Sequence, residues 1–443
     1  MSTDMDIIEI LSDWNFWFGE LYTGIERKMY IDRVSSLISP RRIVAVIGVR
    51  RAGKSFILRQ VAKKLSEENP RNILLVNFED PRLGEQDWKF LDRIFTLYLR
   101  ELKPREIPLV ILDEVQRVRE WERWVRMVSE LGRARIIVSG SSSKLMSPEL
   151  ATLLTGRHSD VIVFPLSFEE FIRFKEIPQH KISLIKAAVR EYIEFGGFPE
   201  VVLSTDKKSI VLGYFDDIIY KDILLRFFID KPLTLRELAR YYMTAVSKPV
   251  TYRSIERFLG INVETIEKYT SYLETAMLIF LVHRYSPKIR EQIKAPRKVY
   301  AMDVAFPNII GFRITRNIGQ TFENLIAIDL MRLKNADPRI ELYYWCDQRG
   351  KEVDFVLKLE DKVLALIEAT YEADSITLKE KGSNLVSAAR KLGCENIMII
   401  TYDTDGNIRV RRKEIPIISY WRWALTYYKR LFSKIKGLPG THE

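Results

Sequence analysis

The 443-residue chain has only two cysteines, Cys346 and Cys394, and they stand isolated. Neither a metal-binding nor a redox spacing can be built from them, and both are expected as reduced core residues. Long apolar runs are also missing. The longest, such as IVAVIGV and AMLIFLV, are far too short to span a bilayer. The acidic start MSTDMDIIEILSDWNF lacks the form of a signal peptide, so the protein is expected in the cytoplasm. No internal repeat and no low-complexity linker interrupts the sequence, so tightly docked domains are expected. With 47% hydrophobic residues the chain buries real cores and is excluded from the disordered class. Its length suits roughly two to four domains. The net charge of +11 suits a polyanionic partner, nucleic acid or a membrane surface. It equally suits a thermophile-like surface rich in both signs.

What is present begins with a phosphate site. RIVAVI (42–47) reads as a buried strand, GVRRAGKS follows, and FILRQVAKKL then runs at helical period. The stretch fits G-x-x-x-x-G-K-[ST], with Gly48, Gly53, Lys54 and Ser55 in the motif positions and Val49, Arg50, Arg51 and Ala52 between them. Phe56 opens the helix beside it. Each part has a physical reason. Glycines let backbone amides wrap a phosphate without a Cβ in the way, and the helix N-terminus faces the anion. Lys54 reaches the β/γ-phosphates and Ser55 holds Mg²⁺, so ATP and Mg²⁺ are the expected cofactors. The strand in PLVILDEVQ (108–116) delivers Asp113 to the Mg²⁺ and Glu114 next to it, where a carboxylate polarises the attacking water.

Further strands are read at NILLVNF (72–78), RIIVSGSSS and DVIVFPL (160–166), alternating with helices. That pattern means an α/β fold, a parallel sheet with helices on both faces. Ser141, after the strand RIIVS, is expected to hold the water or γ-phosphate; the plainer reading is a serine-rich turn. Arg157 is read either as a finger reaching a neighbouring subunit's γ-phosphate or as a helix C-terminal arginine satisfying carbonyls. Residues 181–285 read as nearly all helical. Within them TYRSIERFLGINVETIEKYTSYLETA (251–276) has helix-turn-helix spacing, with the turn at Gly260 and the second helix starting after Asn262.

DWNFWFGE, GVRRAGKSFILRQ, LDEVQ, SGSSSKL, YIEFGGFPEVV, INVETIEKYTSYLETAMLI, KVYAMDVAF, FENLIAIDL and EVDFV occur in this order. In that series the chain resembles archaeal and bacterial AAA+-type P-loop ATPases that carry a C-terminal domain of unknown function, itself similar to restriction-endonuclease-like folds. The resemblance implies Lys54 and Ser55 for nucleotide and Mg²⁺, Asp113 and Glu114 for hydrolysis, and a winged helix around the helix-turn-helix. The expected organisation is an N-terminal arm (1–36), a P-loop ATPase core (37–180), a helical linker or lid (181–230), an all-helical winged-helix segment (231–285), a nuclease-like α/β domain (286–420) and a basic aromatic tail (421–443).

GKEVDFVLKLEDKVLALIEAT (350–370) reads as two strands joined by a polar turn. A nuclease of this fold takes a Glu from an early helix, an Asp from a hairpin, and Glu-x-Lys from the next strand. Glu323, Asp354 and Glu368 fill the carboxylate places, a vestigial metal site. Thr370 stands where the lysine is needed, and Lys358, Lys362 and Lys379 are near enough in sequence to replace it. The domain is expected to be inactive as a nuclease. The leading expectation is a Mg²⁺-dependent ATPase whose C-terminal half grips DNA or RNA, with Arg157 offering a contact for a homo-oligomer. Trp421, Trp423, Tyr427 and Tyr428, interleaved with Arg422, Lys429 and Arg430, suit stacking and phosphate contacts, or a helix docked on its own protein. The alternatives are an ATP-driven switch or scaffold for protein partners, and an active ATP-dependent nuclease.

Overall fold

A computed structural model describes residues 4–84, 86–140, 158–312 and 317–427. They fall into two compact units, Met1–Phe164 and Pro165–Glu443.

In the first unit the strands are β1 (Ile43–Gly48), β2 (Ile73–Asn77), the two-residue β3 (Gln86–Asp87), β4 (Leu109–Asp113), the two-residue β5 (Val118–Arg119), β6 (Arg135–Ser139) and β7 (His158–Val163). Five of them form one parallel sheet in the order β2-β4-β6-β1-β7, while β3 and β5 pair with each other. Every residue of β1, β2 and β4 is buried, as a parallel sheet covered on both faces requires. Helices α1 (Asp4–Ser12), α2 (Lys28–Leu37), α3 (Lys54–Ser66), α4 (Trp88–Leu102) and α5 (Trp121–Glu130) surround it.

The segment after α1 explains the motif DWNFWFGE. β2 is an edge strand with an unpaired side. Asn15 turns its amide onto that side, accepting from the Leu75 N–H at 2.7 Å and donating to the Leu75 carbonyl at 2.8 Å. The Trp17 indole N–H donates to the Ile73 carbonyl at 2.8 Å. Side chains thus close an edge that would otherwise invite another strand.

In the second unit, helices over Phe168–Phe174, Ile182–Phe195 and Lys207–Asp217 precede α6 (Pro232–Thr244). Then come β8 (Pro249–Val250), α7 (Tyr252–Leu259), α8 (Val263–Thr275), β9 (Ile279–Arg284) and β10 (Arg297–Ala301). Gly260 ends α7 in the left-handed region at φ +67°, and the Asn262 side chain caps α8 by accepting from the Thr265 N–H at 2.8 Å. The segment is therefore not all-helical, as the sequence suggested. β8 and β9 flank β10 in an antiparallel ladder, and the β9–β10 hairpin crosses the expected border at residue 285. A short apolar run such as IFLV has no periodicity that separates strand from helix, which is why β9 was hidden.

The same sheet continues through β11 (Ile340–Cys346), β12 (Glu352–Leu359), β13 (Lys362–Thr370), β14 (Ile397–Thr401), β15 (Gly406–Val410) and β16 (Lys413–Ser419). Its order is β15-β16-β14-β13-β12-β11-β9-β10-β8. α9 (Ile318–Ala336) and α10 (Ser375–Leu392) pack on it. Trp423 is fully buried and the Tyr420 hydroxyl donates to Asp329 at 3.0 Å, so the start of the tail is core. Trp423 is thus withdrawn from any stacking surface; Tyr428 and the basic residues after it lie outside the described residues.

Two of the quoted motifs meet inside this unit. Asp303 of KVYAMDVAF is buried and accepts from the Gly197 N–H and the Ala305 N–H, both at 2.8 Å. Gly196 of YIEFGGFPEVV has φ +72°, and a Cβ there would lie 1.7 Å from Asp303 Oδ1. Gly196→Ala is expected to cost more than about 2 kcal/mol, from strain and from displacement of a buried carboxylate. Gly213, inside the helix Lys207–Asp217 with open space around it, is the control. Gly213→Ala should be neutral or stabilise by up to about 1 kcal/mol, and denaturant unfolding of the two variants measures both.

Candidate nucleotide site and a buried ion cluster

β1 ends at Gly48, which sits against β7 so closely that a Cβ would lie 2.3 Å from the Val163 carbonyl oxygen. Only glycine lets the chain turn there. Gly53 follows with φ +94° and starts α3. Lys54 is buried, and its ammonium donates to the Gly48 and Val49 carbonyls at 3.0 and 3.2 Å. The loop and the helix N-terminus together form the cradle that a phosphate chain requires.

Asp113 and Glu114 stand at the end of β4. Asp113 is only 2% exposed. Burial, and then the neighbouring Glu114, pushes its carboxyl up to about 6, while hydrogen bonds from Ser139 and Ser55 and the charge of Lys54 oppose this. Parallel register sets Asp113 beside the tip of β6, so the β6 serine that touches it is Ser139, which also accepts from the Glu114 N–H at 3.2 Å. Ser141 and Arg157 lie outside the described residues. Glu114 has a left-handed backbone at φ +54°, and the Gln116 amide bonds its carboxylate. The observed Ser55–Asp113 pair and the cradle at Gly48 fit a magnesium–nucleotide complex. They would hold it through Gly48–Phe56 and Asp113, with the ion supplying charge neutralisation.

Arg59, which lies outside the phosphate-binding motif, was not expected at the site. It lies between the Trp14 and Phe56 rings, 4.9 and 5.1 Å from their centres, and the Asp113 charge opposes the effect of its burial. Phe56 is part-exposed beside the loop and meets Tyr22 edge-on, with ring centres 6.0 Å apart.

In the second unit Glu323 of α9, Asp354 of β12 and Glu368 of β13 come together, as the resemblance to a nuclease fold implied, but around two ammonium groups. Lys298 of β10 is 1% exposed and lies 2.9 Å from Glu323, 2.6 Å from Glu352 and 3.1 Å from Asp354. Lys381 of α10 lies 2.9 Å from Asp354 and 2.6 Å from Glu368. The Tyr300 hydroxyl donates to Glu323 at 2.7 Å, and the Ala369 N–H donates to Asp354 at 3.0 Å. Thr370 donates its hydroxyl to the Glu372 carbonyl at 2.6 Å and takes no part. Of the lysines near in sequence, Lys358 pairs with Glu341 on the next strand at 2.9 Å, and Lys362 and Lys379 are exposed.

Burial alone would raise all three carboxyls. For Asp354 the two lysines prevail and hold it well below the usual range. Burial and then Asp354 push Glu323 up to about 7. The same two causes hold Glu368 far above the ordinary carboxylate range. Glu368 Oε1 is buried without a hydrogen-bond partner, while its other oxygen accepts from Lys381 at 2.6 Å. Burial opposes the charge on Lys298 and Lys381, but the carboxylates around them keep both firmly protonated.

Lys298, Tyr300, Glu352 and Lys381 were missed in the sequence, although each leaves a trace. KVY places Lys298 and Tyr300 on one face of a strand, and Glu352 alternates with Asp354. Lys381 interrupts the apolar stripe of α10 between Leu378 and Leu385. Lys381→Met should destabilise the protein by about 3–5 kcal/mol by leaving buried Glu368 without its cation and Asp354 with only one of its two. Lys379→Met, two residues away and exposed, should stay within about 0.5 kcal/mol in the same denaturant titration.

Residues 40–172 match an AAA domain, and residues 186–312 and 318–423 match two domains of unknown function, DUF8612 and DUF4143. Among solved structures, the chain is similar to Cdc6p from Pyrobaculum aerophilum, at 11% identity and a TM-score of 0.28, over 68% of this chain and 96% of that one. It is also similar to the S. cerevisiae Hsp104–ADP complex, at 13% identity and a TM-score of 0.32, over 70% and 43% of the two chains. An uncharacterized protein of Haemophilus influenzae is 28% identical over 80% of this chain and 90% of its own length. The uncharacterized protein MJ1544 of Methanocaldococcus jannaschii is 33% identical over 409 residues, which are 88% of this chain and 89% of the relative. With that identity along nearly the whole length and an AAA domain over residues 40–172, the chain belongs to the family of AAA-domain proteins that includes the M. jannaschii relative.

Proposed function

We propose that the protein is a Mg²⁺-dependent ATP hydrolase whose second unit engages nucleic acid. The hydrolase reading rests on Asp113 and Glu114 at the tip of a strand whose neighbour supplies Ser139, beside the cradle of Gly48–Ser55. Lys54 neutralises the β/γ-phosphates, Ser55 and Asp113 hold the ion, and Glu114 orients the attacking water. Ser141 and Arg157 are proposed to assist, Arg157 from a neighbouring subunit.

The nucleic-acid reading rests on the wing. Helices α6, α7 and α8 with the β8-β10-β9 ladder have the order of a winged helix. The exposed side of α8 carries Glu264, Glu267 and Lys268, which does not suit phosphate. The connection between β9 and β10 does: Arg284, Lys288, Arg290 and Lys294 line one concavity with a single acid, Glu291. Ile289 and Ile293 stand exposed among them, apolar groups suited to a base or sugar face. A protein-binding switch would need no such concentration of one charge.

The test is ATP turnover with and without duplex DNA at two salt concentrations. Wild type should be stimulated, and less so at high salt, because binding to phosphates releases counterions from the duplex. Each basic side chain removed from a phosphate should lower the salt slope by roughly one. Reversing Lys288, Arg290 and Lys294 to glutamate should remove the stimulation. Lys54→Ala should abolish turnover, and Glu114→Gln should lower it about 100-fold or more while ATP still binds. Equal rates with and without DNA at both salts would favour the protein-binding switch.

For residues 318–423 we propose a nuclease-like fold without cleavage, since every carboxylate that would serve a metal is bonded to lysine or held neutral. Supercoiled, linear and branched DNA should stay intact with Mg²⁺ or Mn²⁺, with and without ATP. Cleavage by wild type that disappears in Asp354→Ala would sink this reading.

A further inference from the structure

The nuclease-like site, as its carboxylates are arranged here, does not fit a divalent ion, and the misfit is informative. An ammonium has three N–H donors. Lys298 places its nitrogen within 3.1 Å of three carboxylate oxygens, one each from Glu323, Glu352 and Asp354, so all three donors are used. The second oxygen of Asp354 is taken by Lys381 and by the Ala369 N–H. A divalent cation would need the same oxygens at about 2.0–2.6 Å, in the volume that the nitrogen fills. Among the described residues no group of three or more His, Cys, Asp or Glu side chains is arranged to hold a metal ion.

We infer that Lys298 is a built-in cation that occupies the metal position of this site, so that the C-terminal domain is held together by its own lysine and is indifferent to divalent ions. Lys298 is well placed for that role. It projects from a strand, not a loop, is 1% exposed, and has the Tyr344 ring 5.7 Å from its nitrogen. The Tyr300 hydroxyl, two residues on along the same strand face, donates to the same Glu323 oxygen. The ammonium therefore ties β10, in the wing ladder, to α9 and β12. A dissociable ion would make that connection depend on metal supply; a lysine makes it permanent. This inference deepens the reading of residues 318–423 as a fold without cleavage, and it does not depend on ATP turnover or on DNA.

The experiment maps metal by local backbone cutting. Fe²⁺ with ascorbate and peroxide is added to the full chain with ADP, and the cut positions are read by mass spectrometry. Cuts near Lys54 and Asp113 report on the nucleotide site separately, so failure there leaves the second site readable. Wild type should show no cuts between residues 298 and 370. Lys298→Met should gain cuts around Asp354 and Glu368, because deleting the ammonium frees the oxygens for iron. If the methionine variant does not fold, Lys298→Gln keeps two N–H donors on a side chain one atom shorter. Mn²⁺ without nucleotide should then raise the Tm of the glutamine variant by several degrees and leave that of wild type unchanged. Cuts around Asp354 in wild type, or a folded Lys298 variant that gains neither cuts nor Mn²⁺ stabilisation, would overturn the inference.

Discussion

The second unit depends on one buried carboxylate. Asp354 receives Lys298 on one oxygen and Lys381 with a backbone N–H on the other. These partners come from β10, α10 and β13, so a single side chain joins the wing ladder, the central sheet and the helix that covers it. Two ammonium groups drawn this far into a protein are stable only because carboxylates surround them, and the carboxylates only because of the ammoniums. Such a cluster tolerates no half-measures: its desolvation is offset when it is complete and becomes costly when one member is missing.

A comparable constraint governs the first unit. Gly48 has no Cβ, so β1 and β7 approach until the chain must turn away from the Val163 carbonyl. That turn makes the phosphate cradle and aims α3 at it. Parallel pairing of β4 with β6 then brings Ser139 to Asp113. The N-terminal segment contributes at a distance from the chemistry. Asn15 and Trp17 close the edge at β2, and Trp14 backs Arg59, whose charge faces Asp113.

On the proposed reading, the contact surface lies away from the element that first draws attention. A helix-turn-helix spacing points to the second helix as the contact surface, yet α8 exposes two glutamates. The basic residues lie beside it: Arg284 ends β9, Lys288 follows, and Arg290 and Lys294 sit on a short helix, Ile289–Lys294, between β9 and β10. Phosphate binding needs only a density of positive charge in a concave place, and the connection between two strands can assemble one.

The sequence by itself determined the phosphate cradle, the strand that carries Asp113 and Glu114, the turn at Gly260 with its cap at Asn262, and the pairing of Asp354 with Glu368. All of these are local: a motif within eight residues, a strand of period two, or a hairpin, where chain geometry fixes which side chains lie together. Tertiary structure alone decided which β6 serine touches Asp113, that β9 and β10 are strands of one sheet with β11, that Trp423 is core, and that Lys298 and Lys381 pair with the carboxylates of the cluster. Those contacts join residues from separate elements, and their partners are chosen by burial. An ammonium group taken out of water must lie where carboxylates converge, and no spacing along the chain records where that is.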